Sequence, residues 1–177
     1  GADVAWGANS NYMNGYSWLK KVRKAANPQT GTFAVDFKIT DFREVLPYDQ
    51  DLHLRMTMLN DFDLSEVSIV EGTPPRISGN PDAFEYVLAR RKGKVNDSLD
   101  SLFTTVYEPY KDERYIASLE AVADENITIQ SGTEGKNDVV RAVKVTLTDG
   151  RIDYIVYATN NTVLYNIDGV FDFRGVI

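Results

Sequence analysis

The stretch Asp138–Phe173, DVVRAVKVTLTDGRIDYIVYATNNTVLYNIDGVFDF, decides the fold class. Asp138 to Thr148 alternates through Val139, Arg141, Val143, Val145 and Leu147, and Arg151 to Ala158 through Ile152, Tyr154 and Val156. Asp149-Gly150 stands between them, a dipeptide favoured in two-residue hairpin turns where both central residues take φ > 0. The pattern repeats: Asn160-Asn161 leads into Val163, Tyr165 and Ile167, and Asp168-Gly169 into Val170–Phe173. Alternation with a period of two is the signature of half-buried strands. Four strands joined by three tight turns predict a C-terminal antiparallel meander.

Working outward, Thr32–Thr40 places Phe33, Val35, Phe37 and Ile39 on one face and Ala34, Asp36, Lys38 and Thr40 on the other. Leu52, Leu54, Met56 and Met58 form a further apolar stripe, with His53, Arg55 and Thr57 opposite. Residues 16–25, 66–70, 101–107, 115–121 and 127–129 are additional short strand candidates. Phe84–Lys92 reads as strand or helix, since its apolar residues do not alternate strictly. No window carries a helix-length stripe of period 3.6, so the expected fold is an all-β antiparallel sandwich. The expected organisation is an N-terminal linker segment, residues 1–14, and a single β-sandwich domain, residues 15–177. A first residue that is not Met and an end at Ile177 within an apolar pattern suggest a C-terminal fragment of a longer protein.

Composition narrows the chemistry. The 177 residues carry 19 Lys+Arg against 26 Asp+Glu, a net charge of −7. This balance argues against nucleic-acid binding and anionic membranes, both of which rely on clustered basic residues. No apolar run approaches the roughly 20 residues of a membrane-spanning helix. With no Cys, disulfide scaffolds, thiol catalysis and Cys-ligated metals are excluded, and a single His excludes a multi-His metal site. Asp61, Asp63 and Glu66 loosely evoke a calcium loop but lack the glycine and the spacing of an EF-hand. No cofactor or metal is implied, and no residue is assigned a catalytic role.

Candidate contacts are aromatic or basic. Alternation turns Trp6, Tyr12, Tyr48, Tyr110 and Tyr157 away from the presumed core, and flat rings with a polar tip suit the C–H faces of sugars. Aromatic strand residues such as Tyr16 and Trp18 are equally ordinary β-core. Arg90-Arg91-Lys92, with Lys94, is the basic cluster of an acidic chain, and the planar guanidinium fork fits carboxylate or sulfate. A solvated strand end accounts for the same run. The candidate carbohydrate contacts are therefore Trp6, Tyr12, Arg90, Arg91, Lys92 and Tyr110.

Ser101–Val122, SLFTTVYEPYKDERYIASLEAV, resembles the C-terminal β-region of heparinase II/III-like polysaccharide lyases. There a strand ends in Glu-Pro-Tyr, and a short polar turn leads to Ile and a second strand. Upstream, GYSWLKKVRKA (15–25), TFAVDFKI (32–39), DLHLRMTMLN (51–60), the Gly-x-Pro-Pro loop from Gly72 and GNPDAFEYVLARRKG (79–93) follow in the same order. The resemblance spans Gly15–Val122. It implies a periplasmic or extracellular lyase parent that performs β-elimination at a uronic acid. The catalytic Tyr and His would lie in a helical toroid and its adjoining domain, so no catalytic role passes to His53. Three readings follow. The chain is a non-catalytic support for the parent's catalytic domains in cis, with contact to acidic polysaccharide; or an independent carbohydrate-binding module; or an autonomous lyase using His53 and a Tyr.

Overall fold

The computed structural model describes residues 3–4, 19–25, 32–41, 44–45, 50–59, 66–74, 77–96, 98–99 and 101–175. They form thirteen strands: β1 (Asp3–Val4), β2 (Leu19–Lys24), β3 (Phe33–Ile39), β4 (Leu52–Leu59), β5 (Glu66–Gly72), β6 (Phe84–Arg90), β7 (Thr104–Lys111), β8 (Ile116–Ala121), β9 (Ile127–Ser131), β10 (Val140–Leu147), β11 (Ile152–Ala158), β12 (Leu164–Ile167) and β13 (Phe171–Arg174). The only helical element among the described residues is a 3-10 turn at Asp124–Asn126. The chain is all-β, as the alternation predicts, and the ambiguous segment from Phe84 is a strand. The sheets have orders β1-β2-β5-β6, β3-β4-β7, β11-β10-β8 and β13-β12-β9. Two compact units emerge: Gly1–Asp51 with Met56–Val106, and Leu52–Arg55 with Tyr107–Ile177. The dividing points fall inside β4 and β7.

In the first unit, β5 lies between β2 and β6 with antiparallel pairing on both sides. A bulge interrupts β2 between Lys20 and Arg23, where Lys21 takes a φ of 46°. An extra residue of this kind shifts the two-residue phase of a strand. Val22 and Val70 become fully buried, together with Ser68. On β4, burial does not follow the expected single stripe: Met56, Thr57 and Leu59 are all buried, so its later part is covered on both faces.

In the second unit, the sheets β11-β10-β8 and β13-β12-β9 share one core of Ala142, Ala158, Val163, Tyr165 and Ile167. Tyr154 of β11 meets Phe171 of β13 edge to face, with ring centroids 5.4 Å apart. Burying Val163 and Ile167 completely contributes roughly 1.5–3 kcal/mol each. Three anchors fix the turn between β12 and β13 to its surroundings. The Tyr154 hydroxyl donates to Asp168 at 2.7 Å, Lys144 Nζ lies 3.7 Å from the same carboxylate, and the Asp168 N–H donates to the Asn126 carbonyl at 2.8 Å. The bond to the Asp168 carboxylate, reinforced by burial, raises the pKa of Tyr154.

The meander expectation is corrected by this topology. Both Asp-Gly hairpins form, but β11 and β12 do not pair; each hairpin is completed by an upstream strand, β8 or β9. The reason lies in the connection at Asn160-Asn161, where neither residue takes positive φ as a type I′ turn demands. Instead Asn160 Oδ1 accepts from the Thr162 N–H at 2.8 Å and its hydroxyl at 2.7 Å. This Asx-type turn carries the chain from one sheet to the facing one.

The two Asp-Gly turns also differ. Asp168 and Gly169 take φ of 54° and 69°, both left-handed as expected. Asp149 does not: its carboxylate accepts from the Arg151 N–H at 2.9 Å, and only Gly150 is left-handed, with φ 89°. With Gly150 N–H bonded to the Leu147 carbonyl and Leu147 N–H to the Arg151 carbonyl, the loop is a three-residue turn ending in a glycine bulge. A Cβ at Gly150 would meet no atom within 4 Å, so any cost of substitution is conformational. Gly150→Ala should therefore destabilise by about 1 kcal/mol and Gly150→Asn by less, as measured by urea denaturation.

Candidate functional site

The segment that carries the family resemblance is organised around Glu108. On β7, a strand at the edge of its sheet, Glu108 and Tyr110 share one face while the exposed Tyr107 and Pro109 share the other. Pro109 lacks an N–H and is tolerated on an edge strand for that reason. Glu108 is only 2% exposed. Its Oε1 accepts from the backbone N–H of Tyr115 at 3.1 Å and of Ile116 at 2.8 Å. Its Oε2 receives Nε and Nη2 of Arg114, each at 2.9 Å. Such charge-assisted bonds are the strong ones, and here they close the reversal between β7 and β8. Within that reversal Asp112 takes a φ of 60° and Glu113 N–H bonds to the Lys111 carbonyl at 2.6 Å.

Tyr110, one face-mate along from Glu108, stacks on His53 of β4 with ring centroids 4.8 Å apart and planes inclined by 15°. Both side chains are half-buried. The chain's single histidine and one of its candidate sugar-contacting tyrosines thus form one aromatic pair. Sequence reading considered them separately, because nothing local joins positions 53 and 110; the antiparallel neighbourhood of β4 and β7 does so.

The basic run, by contrast, is dispersed. Arg90 closes β6 and Arg91 follows it, so successive side chains diverge. Arg91 donates to the Ser101 hydroxyl at 3.1 Å, while Lys92 is exposed. Arg90 and Glu66, opposite each other on β6 and β5, both line a concavity of about 330 Å³. Trp6 and Tyr12 lie outside the described residues, as do Tyr16, Trp18, Tyr48, Asp61 and Asp63. Tyr157 is 47% exposed on the outer side of β11, beside Ile155 at 58%. Among the described residues no group of three His, Cys, Asp or Glu is placed to hold a metal ion.

One acidic concavity was not anticipated. Asp124, Glu134 and Asp138 line about 290 Å³ with Arg141, which pairs with Asp124 at 3.5 Å. Asp138 Oδ2 accepts from Asn160 Nδ2 at 2.5 Å and from the Gly135 N–H at 2.7 Å, and these bonds hold its carboxyl below the usual range. Glu134 and Asp138 come from the connection between β9 and β10 and Asp124 from the 3-10 turn before β9, so no single run in the sequence signals the three. Behind them lies Tyr165, 1% exposed, whose hydroxyl has no hydrogen-bond partner. Burial, followed by the nearby Glu134 carboxylate, pushes its pKa up to about 12.

No family model, curated protein or solved structure matches this chain.

Two expectations follow from this geometry. Glu108→Ala leaves Arg114 and two N–H groups without their acceptor and should destabilise by about 3 kcal/mol, with Glu108→Gln intermediate, in urea melts. Tyr165→Phe removes an unsatisfied buried hydroxyl and should be neutral or stabilising at pH 7. Because the folded phenol titrates above its ordinary value of 10, its contribution to stability is complete below pH 10 and lost as pH rises towards 12. Tyr165→Phe should therefore flatten the alkaline fall in stability, measured by denaturation at a series of pH values.

Proposed function

We propose that this chain is a non-catalytic β-module of a heparinase II/III-like polysaccharide lyase, acting in the periplasm or outside the cell. It supports the parent's catalytic domains in cis and contacts acidic polysaccharide. The observation that carries this reading is the use made of the Glu-Pro-Tyr segment. Glu108 is enclosed and bonded to Arg114 and two backbone N–H groups, which supports a role in holding strands rather than in reacting with substrate. Proton abstraction beside a carboxylate needs a base, an acid and stabilisation of the developing charge around one cleft. Those groups are assigned here to the parent's other domains. The apolar outer side of β11, with Ile155 and Tyr157, is the kind of surface such a domain would cover.

Independent carbohydrate binding is the second reading, favoured by the Tyr110–His53 stack and by the exposed Lys92. Aromatic faces and a separate cation are the elements that sugar hydroxyls and uronate groups meet. The two readings separate by experiment. Under the support reading, the separately produced chain binds the parent's catalytic region. Ile155→Lys with Tyr157→Lys should then weaken that binding at least tenfold while leaving the melting curve unchanged. If surface plasmon resonance detects no association, the support reading fails. Retardation in gels containing acidic polysaccharide, abolished by Tyr110→Ala and unaffected by the β11 pair, would establish the second reading in its place.

A further inference from the structure

β11 closes one side of its sheet and pairs with β10 over seven residue pairs without a bulge. The ends of that ladder show which backbone groups point outward. The Leu147 N–H bonds to the Arg151 carbonyl, and the Thr159 N–H to the Val139 carbonyl. Hydrogen-bonded positions alternate in an antiparallel pair, so Arg151, Asp153, Ile155, Tyr157 and Thr159 turn their backbone groups to β10. Ile152, Tyr154 and Val156 turn theirs away, and no strand among the described residues meets them. The Ala158 carbonyl, next in that series, is crowded by Gly175, where a Cβ would stand 2.9 Å from it. An open edge of this kind recruits another strand unless something blunts it. β7 carries Pro109, β13 has four residues, β8 meets β10 across a bulge and exposes Glu120, and β6 runs into Arg90-Arg91-Lys92. β11 has no such device. It holds neither Pro nor Lys, its one charge, Asp153, is bound by Arg151 at 2.9 Å, and Ile152 is 49% exposed beside the similarly exposed Ile155 and Tyr157.

We propose that this edge pairs with the same edge of a second copy, antiparallel about a two-fold axis, joining two three-stranded sheets into one of six strands. Such an edge suits itself only if the register set by its free groups brings no like charges together. Centring the axis on Tyr154 uses every free group. Ile152 then pairs with Val156 of the second copy, Tyr154 with Tyr154, and Val156 with Ile152, and each pair exchanges both of its hydrogen bonds. Between these pairs Asp153 faces Ile155, and Arg151 faces Tyr157, where a guanidinium beside an aromatic ring is favourable. The half-exposed Ile152 gains Val156 as a neighbour. Centring on Ile155 would instead call on Ala158, whose carbonyl is already crowded. So short an edge gives an interface below the roughly 1,200 Å² of stable complexes, and the association is weak, with a dissociation constant of about 0.1 mM. The pairing lies in the plane of the sheet and widens the outer face that the support reading assigns to the parent's domains, so the two ideas stand or fall separately.

The test uses the full chain. In sedimentation equilibrium it should pass from monomer to dimer between about 10 µM and about 1 mM. Over the same range, amide hydrogen exchange should slow roughly fivefold or more at Ile152, Tyr154 and Val156. The amides of Asp153 and Ile155, bonded to β10 in either state, should change much less. Ile152→Pro removes one outward N–H at the first position of the strand, where proline is tolerated. It should weaken dimerisation roughly tenfold while leaving the melting curve of the dilute protein unchanged. Ile155→Asp sets an acid against Asp153 of the second copy and should also weaken it, whereas Ile155→Lys should not. A chain that stays monomeric throughout overturns the proposal, as does a dimer whose three edge amides exchange as fast as in the monomer. Equal dimerisation by Ile152→Pro, or equal weakening by Ile155→Lys and Ile155→Asp, overturns it too. Binding to the parent's catalytic region and gel retardation by acidic polysaccharide report separately on the proposed function.

Discussion

The enclosed carboxylate of Glu108 is the constraint on which the β7–β8 region depends. Transfer of a carboxylate out of water is costly unless its oxygens are satisfied. Glu108 meets that condition with four donors, two from Arg114 and two from the backbone at Tyr115 and Ile116. The arginine is partly exposed, so solvent screens its share; the backbone pair is local and directional. Ile116 is also where β8 begins and where it meets Leu147 of β10. One side chain thus sets where the chain turns and where the next sheet takes up its pairing.

Glu66 obeys the same rule with a different outcome. Burial alone would raise its pKa, but the bond from Lys24, then the charge of Lys24 and the bond from Ser68, outweigh burial and leave it lowered. A carboxylate so held contributes stability above the ordinary carboxyl range, and that contribution fades as pH falls through its folded value. Arg90, directly opposite on β6, adds its charge to the same lowering, so one carboxylate answers cations on both neighbouring strands.

Much of the architecture was legible because alternation is a direct imprint of the pleat. The strands from Phe33, Leu52, Val140, Ile152 and Leu164 all fall where the two-residue period places them. What alternation does not encode is partnership. Whether β12 joins β11 or β9 depends on an Asn160 side chain that bonds Thr162 instead of permitting a type I′ turn. Whether Asp149 enters the left-handed region depends on a bond to Arg151 that Asp168 does not share. The site shows the same divide. Glu108 was legible as part of a motif, but its burial was not, since a glutamate in a polar run reads as solvated. Arg90 and Arg91 read as one cluster although the pleat sends them apart. His53 and Tyr110 read as two residues although the sheet stacks them.

That stack alters what a lone histidine signifies. An imidazole lying flat on a phenol ring gives up one face to packing, and the tyrosine gives up one of its own. The remaining face of such a ring is held in place by its neighbour, so a contact made there need not first immobilise the side chain. Under the polysaccharide reading, Tyr110 is the contacting surface and His53 is its backing, a division of labour that requires no proton transfer. The same arrangement serves the support reading equally well, because a stacked pair also locks β4 against β7. In both, the value of His53 lies in the flatness of its ring.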